Sequence, residues 1–143
     1  MNCSLLLAFA STLVLASTAK AQEKQYDDLL VKYVDEKYED CLAKAQRYTE
    51  NDYTKKDALP YLYMSMCYYE MSKIPKYQEM DDYKKADRDA LKWASKYRRK
   101  DKDNMYFDKY EDYWTDLNTM AQEVGLNYLD DKNYSKARLQ FMR

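Results

Sequence analysis

Residues 121–141 read AQEVGLNYLDDKNYSKARLQF, and this stretch decides the fold. Ala121, Val124, Gly125 and Tyr128 fall three, one and three residues apart, which places them on one stripe of an α-helix. Asp130-Asp131-Lys132-Asn133 interrupts the stripe as a short acidic turn, and Tyr134, Ala137 and Phe141 resume it at helical spacing. The same arrangement stands near the start of the chain. Tyr26, Leu29, Leu30 and Tyr33 repeat the first spacing, Asp35-Glu36-Lys37 makes the turn, and Tyr38, Cys41 and Ala45 repeat the second half, with a turn one residue shorter. A third copy runs through Tyr61, Met64, Ser65 and Tyr68, and its second half is Tyr83, Ala86, Ala90 and Trp93. Each unit is a helix pair whose apolar stripe is buried by stacking on its neighbours.

These residues resemble the tetratricopeptide repeat. That family sets a large residue, an apolar–small pair and an aromatic on its first helix, and an aromatic, a small residue and larger apolar residues on its second. Small residues such as Gly125, Ser65, Ala86 and Ala137 let neighbouring helices approach, and aromatics fill the space around them. The resemblance implies an all-α fold: an antiparallel helix-pair array of the α-solenoid kind. Tyr33 to Tyr68 spans 35 residues, close to the family's period of about 34. Tyr68 to Tyr128 spans 60, so irregular insertions are expected in Tyr69–Asp82, which contains Pro75, and in Arg98–Met120. In this family the first helices line a concave groove that takes peptides or partner segments. Carried over residue by residue, the groove falls on Leu59, Leu62, Met66, Tyr69 and Glu70, and on Thr119, Gln122, Leu126 and Leu129. Burial of Leu62, Met66, Leu126 and Leu129 against neighbouring helices is the competing reading for those positions.

Apolar periodicity predicts helices over 24–33, 36–50, 58–73, 82–99, 105–130 and 133–143. Thr54 or Asp57 is expected to cap the third, Pro60 fits its first turn, and Pro75 should stop it or open the next. Composition agrees. A single glycine and two prolines leave little for the tight turns of β-hairpins. Tyrosine, at 17 residues, suits half-buried helix seams, where the ring is covered and the hydroxyl stays near water.

Residues 1–21 read as a signal peptide, with residues 22–143 as the mature helical domain. Leu5–Ala19 carries no charge and is short for a membrane span, and Ala19-Lys20-Ala21 offers small residues where signal peptidase cuts. No basic residue precedes the run, and Cys3 stands before it, where a lipoprotein cysteine does not. The Ala-Lys-Ala-Gln ending resembles exported proteins of the Bacteroidetes type, which implies a periplasmic or envelope location. Removal of Lys20, the one charge in that segment, takes the formal net charge from −1 to −2. Neither nucleic acid nor an anionic membrane is expected as a partner, and no span remains after cleavage.

The chain has no histidine, which removes the commonest general base and neutral metal ligand. Cys41 and Cys67 sit on apolar stripes, and packing as small hydrophobes is preferred over a disulfide. Asp27-Asp28, Asp81-Asp82 and Asp130-Asp131 read as helix-start or turn residues rather than calcium ligands. Arg98-Arg99-Lys100 reads as the C-terminus of a helix, and the acidic Asp101 and Asp103 after it argue against a phosphate patch. No catalytic residue, cofactor or metal site is expected. The expected function is a non-catalytic protein-interaction adaptor with a protein or peptide partner. The alternative is the N-terminal structural piece of a larger envelope protein. The helix from Asn133 ends before the apolar turn that Tyr48 and Trp93 supply elsewhere. The array is therefore expected to be incomplete there, continuing in a longer chain or self-associating through its C-terminal helix.

Overall fold

The computed structural model describes residues 25–141; the expected signal peptide and cleavage point lie outside them. The described residues form helices only: α1 (Asp27–Val34), α2 (Tyr38–Glu50), α3 (Leu59–Lys73), α4 (Pro75–Gln78), α5 (Ala86–Lys100), α6 (Glu111–Asp130) and α7 (Tyr134–Phe141), with a 3-10 turn at Asp108–Tyr110. None is long and apolar enough to cross a membrane.

Helix α3 is the hub. It packs most extensively on α5 and α2 and also meets α1 and α4. Its residues from Leu59 to Cys67 are buried without a break, so this part of α3 has no open face. Ser65 explains how α5 and α6 come close to it. Its Oγ donates to the Ala90 carbonyl of α5 at 2.6 Å and lies 2.6 Å from the Tyr113 hydroxyl of α6. A larger side chain there would hold the helices apart. Cys41 of α2 and Cys67 of α3 are both free thiols in this core, and Cys41 donates to the Leu29 carbonyl of α1 at 3.5 Å. Burial pushes the Cys67 thiol well up, with Cys41 adding to the shift, so Cys67 packs as a neutral small residue.

The turns that close α1 and α6 are built alike. Asp35, Glu36 and Lys37 donate their N–H groups to the carbonyls of Val31, Tyr33 and Lys32. Asp131, Lys132 and Asn133 donate to Asn127, Leu129 and Tyr128 in the same pattern. In each, the middle residue is left-handed, with φ of 58° at Glu36 and 56° at Lys132. Both are Schellman endings, which satisfy the last carbonyls of a helix. The one-residue difference expected between these turns is therefore absent. The register slip lies upstream, within the helices.

Two further expectations are corrected. Thr54 and Asp57 do not cap α3, whose N-cap is Ala58 without a side-chain bond. Thr54 Oγ1 instead donates to the Tyr48 carbonyl at 2.7 Å, and Asp57 accepts from the Tyr26 hydroxyl at 2.6 Å, tying the α2–α3 loop to α1 and α2. Helix α6 starts at Glu111 rather than near residue 105, because Asp101 organises a separate turn. Its buried carboxylate accepts from Met105 N at 2.9 Å, Tyr106 N at 3.3 Å and the Tyr97 hydroxyl. Asp101 is thus a structural residue of this turn. Pro75 opens α4 as expected, and this short helix turns back on α2 through Lys76 and Glu39, 3.5 Å apart, with Tyr77 buried.

Candidate interaction surface

Past Cys67, one side of α3 emerges from the core while Met71 stays buried. Tyr68, Tyr69 and Glu70 are half-buried, and the last two join the helix to its neighbours. The Tyr33 hydroxyl of α1 donates to Glu70 Oε1 at 3.4 Å. Glu70 Oε2 pairs with Lys73 Nζ at 2.6 Å, and that ammonium lies 4.1 Å from the centre of the Tyr69 ring. The Tyr69 hydroxyl donates to Asp116 of α6 at 3.1 Å, and its ring meets Tyr113 edge-on at 5.6 Å. A polar and aromatic seam, Tyr33–Glu70–Lys73–Tyr69–Asp116, therefore crosses α1, α3 and α6. Partial burial is the main reason the Tyr69 phenol is pushed up to about 12, with the Asp116 hydrogen bond adding to it. Burial and Glu70 likewise raise Tyr33. Both phenols stay protonated donors at neutral pH.

The groove residues expected from sequence divide into two groups. Leu59, Leu62 and Met66 are 1%, 0% and 6% exposed and belong to the core. The family pattern presumes an open face on that stretch of helix, whereas α3 is enclosed there. Tyr69 and Glu70 do reach the surface, within the seam. Thr119 and Gln122 are exposed on α6, and Leu126 and Leu129 are 55% and 39% exposed. Asp116 and Glu123 are the α6 carboxylates that act on Tyr69, so Thr119 lies along the same side of that helix. Tyr33, Lys73 and Asp116 were missed because sequence spacing treats them as packing or solvent residues. The available signal was a tyrosine at a helix end, whose hydroxyl needs a partner.

A cleft of ≈ 420 Å³ opens between α5 and α6, whose packing is thin beside that of α3 on α5. Trp114 forms its aromatic wall, stacked on Tyr97 at 5.0 Å and on Phe107 at 6.2 Å. Leu91, Ala94 and Leu117 supply apolar surface beside it. Such walls suit an inserted apolar or aromatic group. Asp27 and Asp28 stand in the first turn of α1 and Asp130–Asp131 at the end of α6, as expected; beyond that, Asp28 accepts from Tyr48 at 3.0 Å and Asp81 pairs with Lys84 at 2.8 Å. No group of side chains that could hold a metal ion occurs among the described residues. The chain matches no protein-family model, no curated protein and no solved structure.

Proposed function

We propose that this chain is a non-catalytic adaptor, exported to the cell envelope, whose helix pairs form a tetratricopeptide-like α-solenoid that holds a protein or peptide partner. The observation that carries this reading is the seam from Tyr33 to Asp116. It sets half-buried tyrosine rings beside a lysine and two carboxylates across α1, α3 and α6. Amphipathic rings held by hydrogen bonds are good interface anchors, because little side-chain entropy is lost when a partner covers them. The repeated Schellman endings of α1 and α6 support the repeat assignment. Affinity capture with the purified protein, followed by crosslinking, tests the reading. A discrete partner should crosslink to the seam, and Tyr69→Ala with Glu70→Gln should abolish its capture while the variant still melts cooperatively. Undiminished capture by that variant would overturn it.

A second reading has its own observation. Leu126, Leu129, Tyr134 and Leu139 are all exposed, at 55%, 39%, 66% and 51%, and leave apolar side chains uncovered on α6 and α7. An architectural piece of a larger envelope assembly would bury these side chains against further helices, or against a second copy. Sedimentation distinguishes the readings: a monomer at high concentration supports the adaptor, and self-association relieved by Leu139→Lys supports the architectural role.

A further inference from the structure

We propose that a second surface, the face of α5 built by Lys92, Trp93, Lys96, Arg99 and Lys100 with Tyr61 of α3, docks an acidic segment of a partner protein. Lys92, Lys96, Arg99 and Lys100 fall at helical spacing on α5 and form one stripe. Lys96 Nζ sits 3.7 Å from the centre of the Trp93 ring and Lys92 Nζ 5.7 Å from it. Lys100 Nζ sits 5.3 Å from the Tyr61 ring. The two ring centres are 6.0 Å apart, so they make one platform with three ammonium groups around it.

Only one cation of this cluster has a carboxylate partner among the described residues. Lys92 reaches Asp89 at 3.5 Å, but Lys96, Arg99 and Lys100 form no ion pair with a carboxylate among the described residues. Arg99 Nε donates to the Ser95 carbonyl at 3.3 Å. Desolvation, together with the nearby Lys92 and Arg99, lowers the Lys96 ammonium from its ordinary value. The helix dipole accounts for cations in the last turn of α5, where Arg99 and Lys100 stand. It does not reach Lys92, and it does not explain why Lys96 is laid on Trp93 among other cations. Carboxylates brought to this face relieve the repulsion and pair with groups already positioned by the rings.

The occupant is an acidic protein segment rather than a nucleic acid or an anionic membrane. The whole chain carries a formal charge of −1, so it has no long-range positive field to gather a polyanion. Four cations on one helix face match a few carboxylates at contact distance. The surface shares no residue with the Tyr33–Asp116 seam, so its test stands or fails separately from the adaptor reading.

Fluorescence anisotropy with a labelled hexaglutamate peptide tests it on the purified protein. Saturable, salt-sensitive binding is expected, with a change in tryptophan emission that Trp93→Phe removes. Lys96→Glu with Arg99→Glu should weaken binding by about tenfold or more, whereas Lys56→Glu with Lys136→Glu should change it little. Thermal melts establish that each variant is folded, and the milder Lys96→Gln with Arg99→Gln carries the test if the double reversal does not fold. Equal losses in both double reversals would overturn the proposal. So would tighter binding to an oligonucleotide of equal charge, or to phosphatidylserine vesicles, than to hexaglutamate.

Discussion

Ser65 has one hydroxyl hydrogen and gives it to the Ala90 carbonyl, so the Tyr113 phenol must be the donor to Ser65 Oγ, each bond at 2.6 Å. The three groups join α3, α5 and α6 inside the buried core. Ser65→Ala leaves the buried Tyr113 phenol without its acceptor, while the Ala90 carbonyl keeps its partner within α5, and is expected to destabilise the protein by about 1–3 kcal/mol. Chemical denaturation of the variant checks this, and Ser65→Ala with Tyr113→Phe should recover part of the loss. Gly125 is a different kind of small residue. It is buried in α6, with an ordinary negative φ, so its use is steric rather than conformational. Leucine there has better helix propensity, but overpacking should outweigh it, and Gly125→Leu is expected to cost about 1–3 kcal/mol in thermal melts. Sequence spacing picked out both residues as points of close approach. It did not reveal the Ser65 hydrogen bonds, because Ala90 and Tyr113 come from helices far along the chain.

At the scale of elements, the endings of α1 and α6 show a repeat kept by backbone rather than by side chains. Glu36 and Lys132 are the left-handed residues of two equivalent Schellman turns, a position that glycine occupies without a steric penalty. Neither turn uses glycine. Lys132→Gly should relieve the left-handed strain, offset partly by a more flexible unfolded chain, for a net gain of about 0.5–1 kcal/mol. A raised melting midpoint checks it; Asp131→Gly, one residue earlier at φ −73°, should not share the gain. The helix boundaries expected from periodicity lie close to those of α2 and α3. The start of α6 was misplaced for a reason that periodicity cannot register. Met105 and Phe107 continue the apolar spacing, but Asp101 draws the Met105 and Tyr106 N–H groups into a turn. A buried carboxylate accepting three donors overrides a weak helical preference.

At the scale of the molecule, buried phenols couple stability to high pH. Partial burial pushes Tyr68 and Tyr69 up to about 12, and Tyr26, Tyr97 and Tyr113 higher still, from an ordinary value of 10.0. In each case burial of the ring is the largest cause. The folded state therefore holds these protons more tightly than the unfolded state. Their contribution is fully present below about pH 10. It is lost as pH rises towards 12 and beyond, where the unfolded chain ionises first. Helical circular dichroism should stay flat to about pH 10 and then fall cooperatively, with tyrosinate absorbance near 295 nm rising in the same transition. Independent, non-cooperative ionisation before loss of helix would show that the phenols are not held this way. Tyr69 belongs to the seam as well, so alkaline unfolding should open the seam together with the core.

That the chain is helical, where its small residues cluster, and that its long connections are irregular can all be read from the amino-acid order, because helical periodicity and side-chain volume are local properties. The sequence also marked Tyr69 and Glu70 as surface groups. Only the tertiary structure decided that Leu59, Leu62 and Met66 are core while Leu126 and Leu129 are exposed. One helical stripe looks the same in sequence whether one neighbour or four pack on it. The same holds for the seam and for the cationic face of α5. Tyr33, Glu70 and Asp116 lie on three separate helices, and Trp93 gains its partner ring from Tyr61, so contact between them is a property of packing.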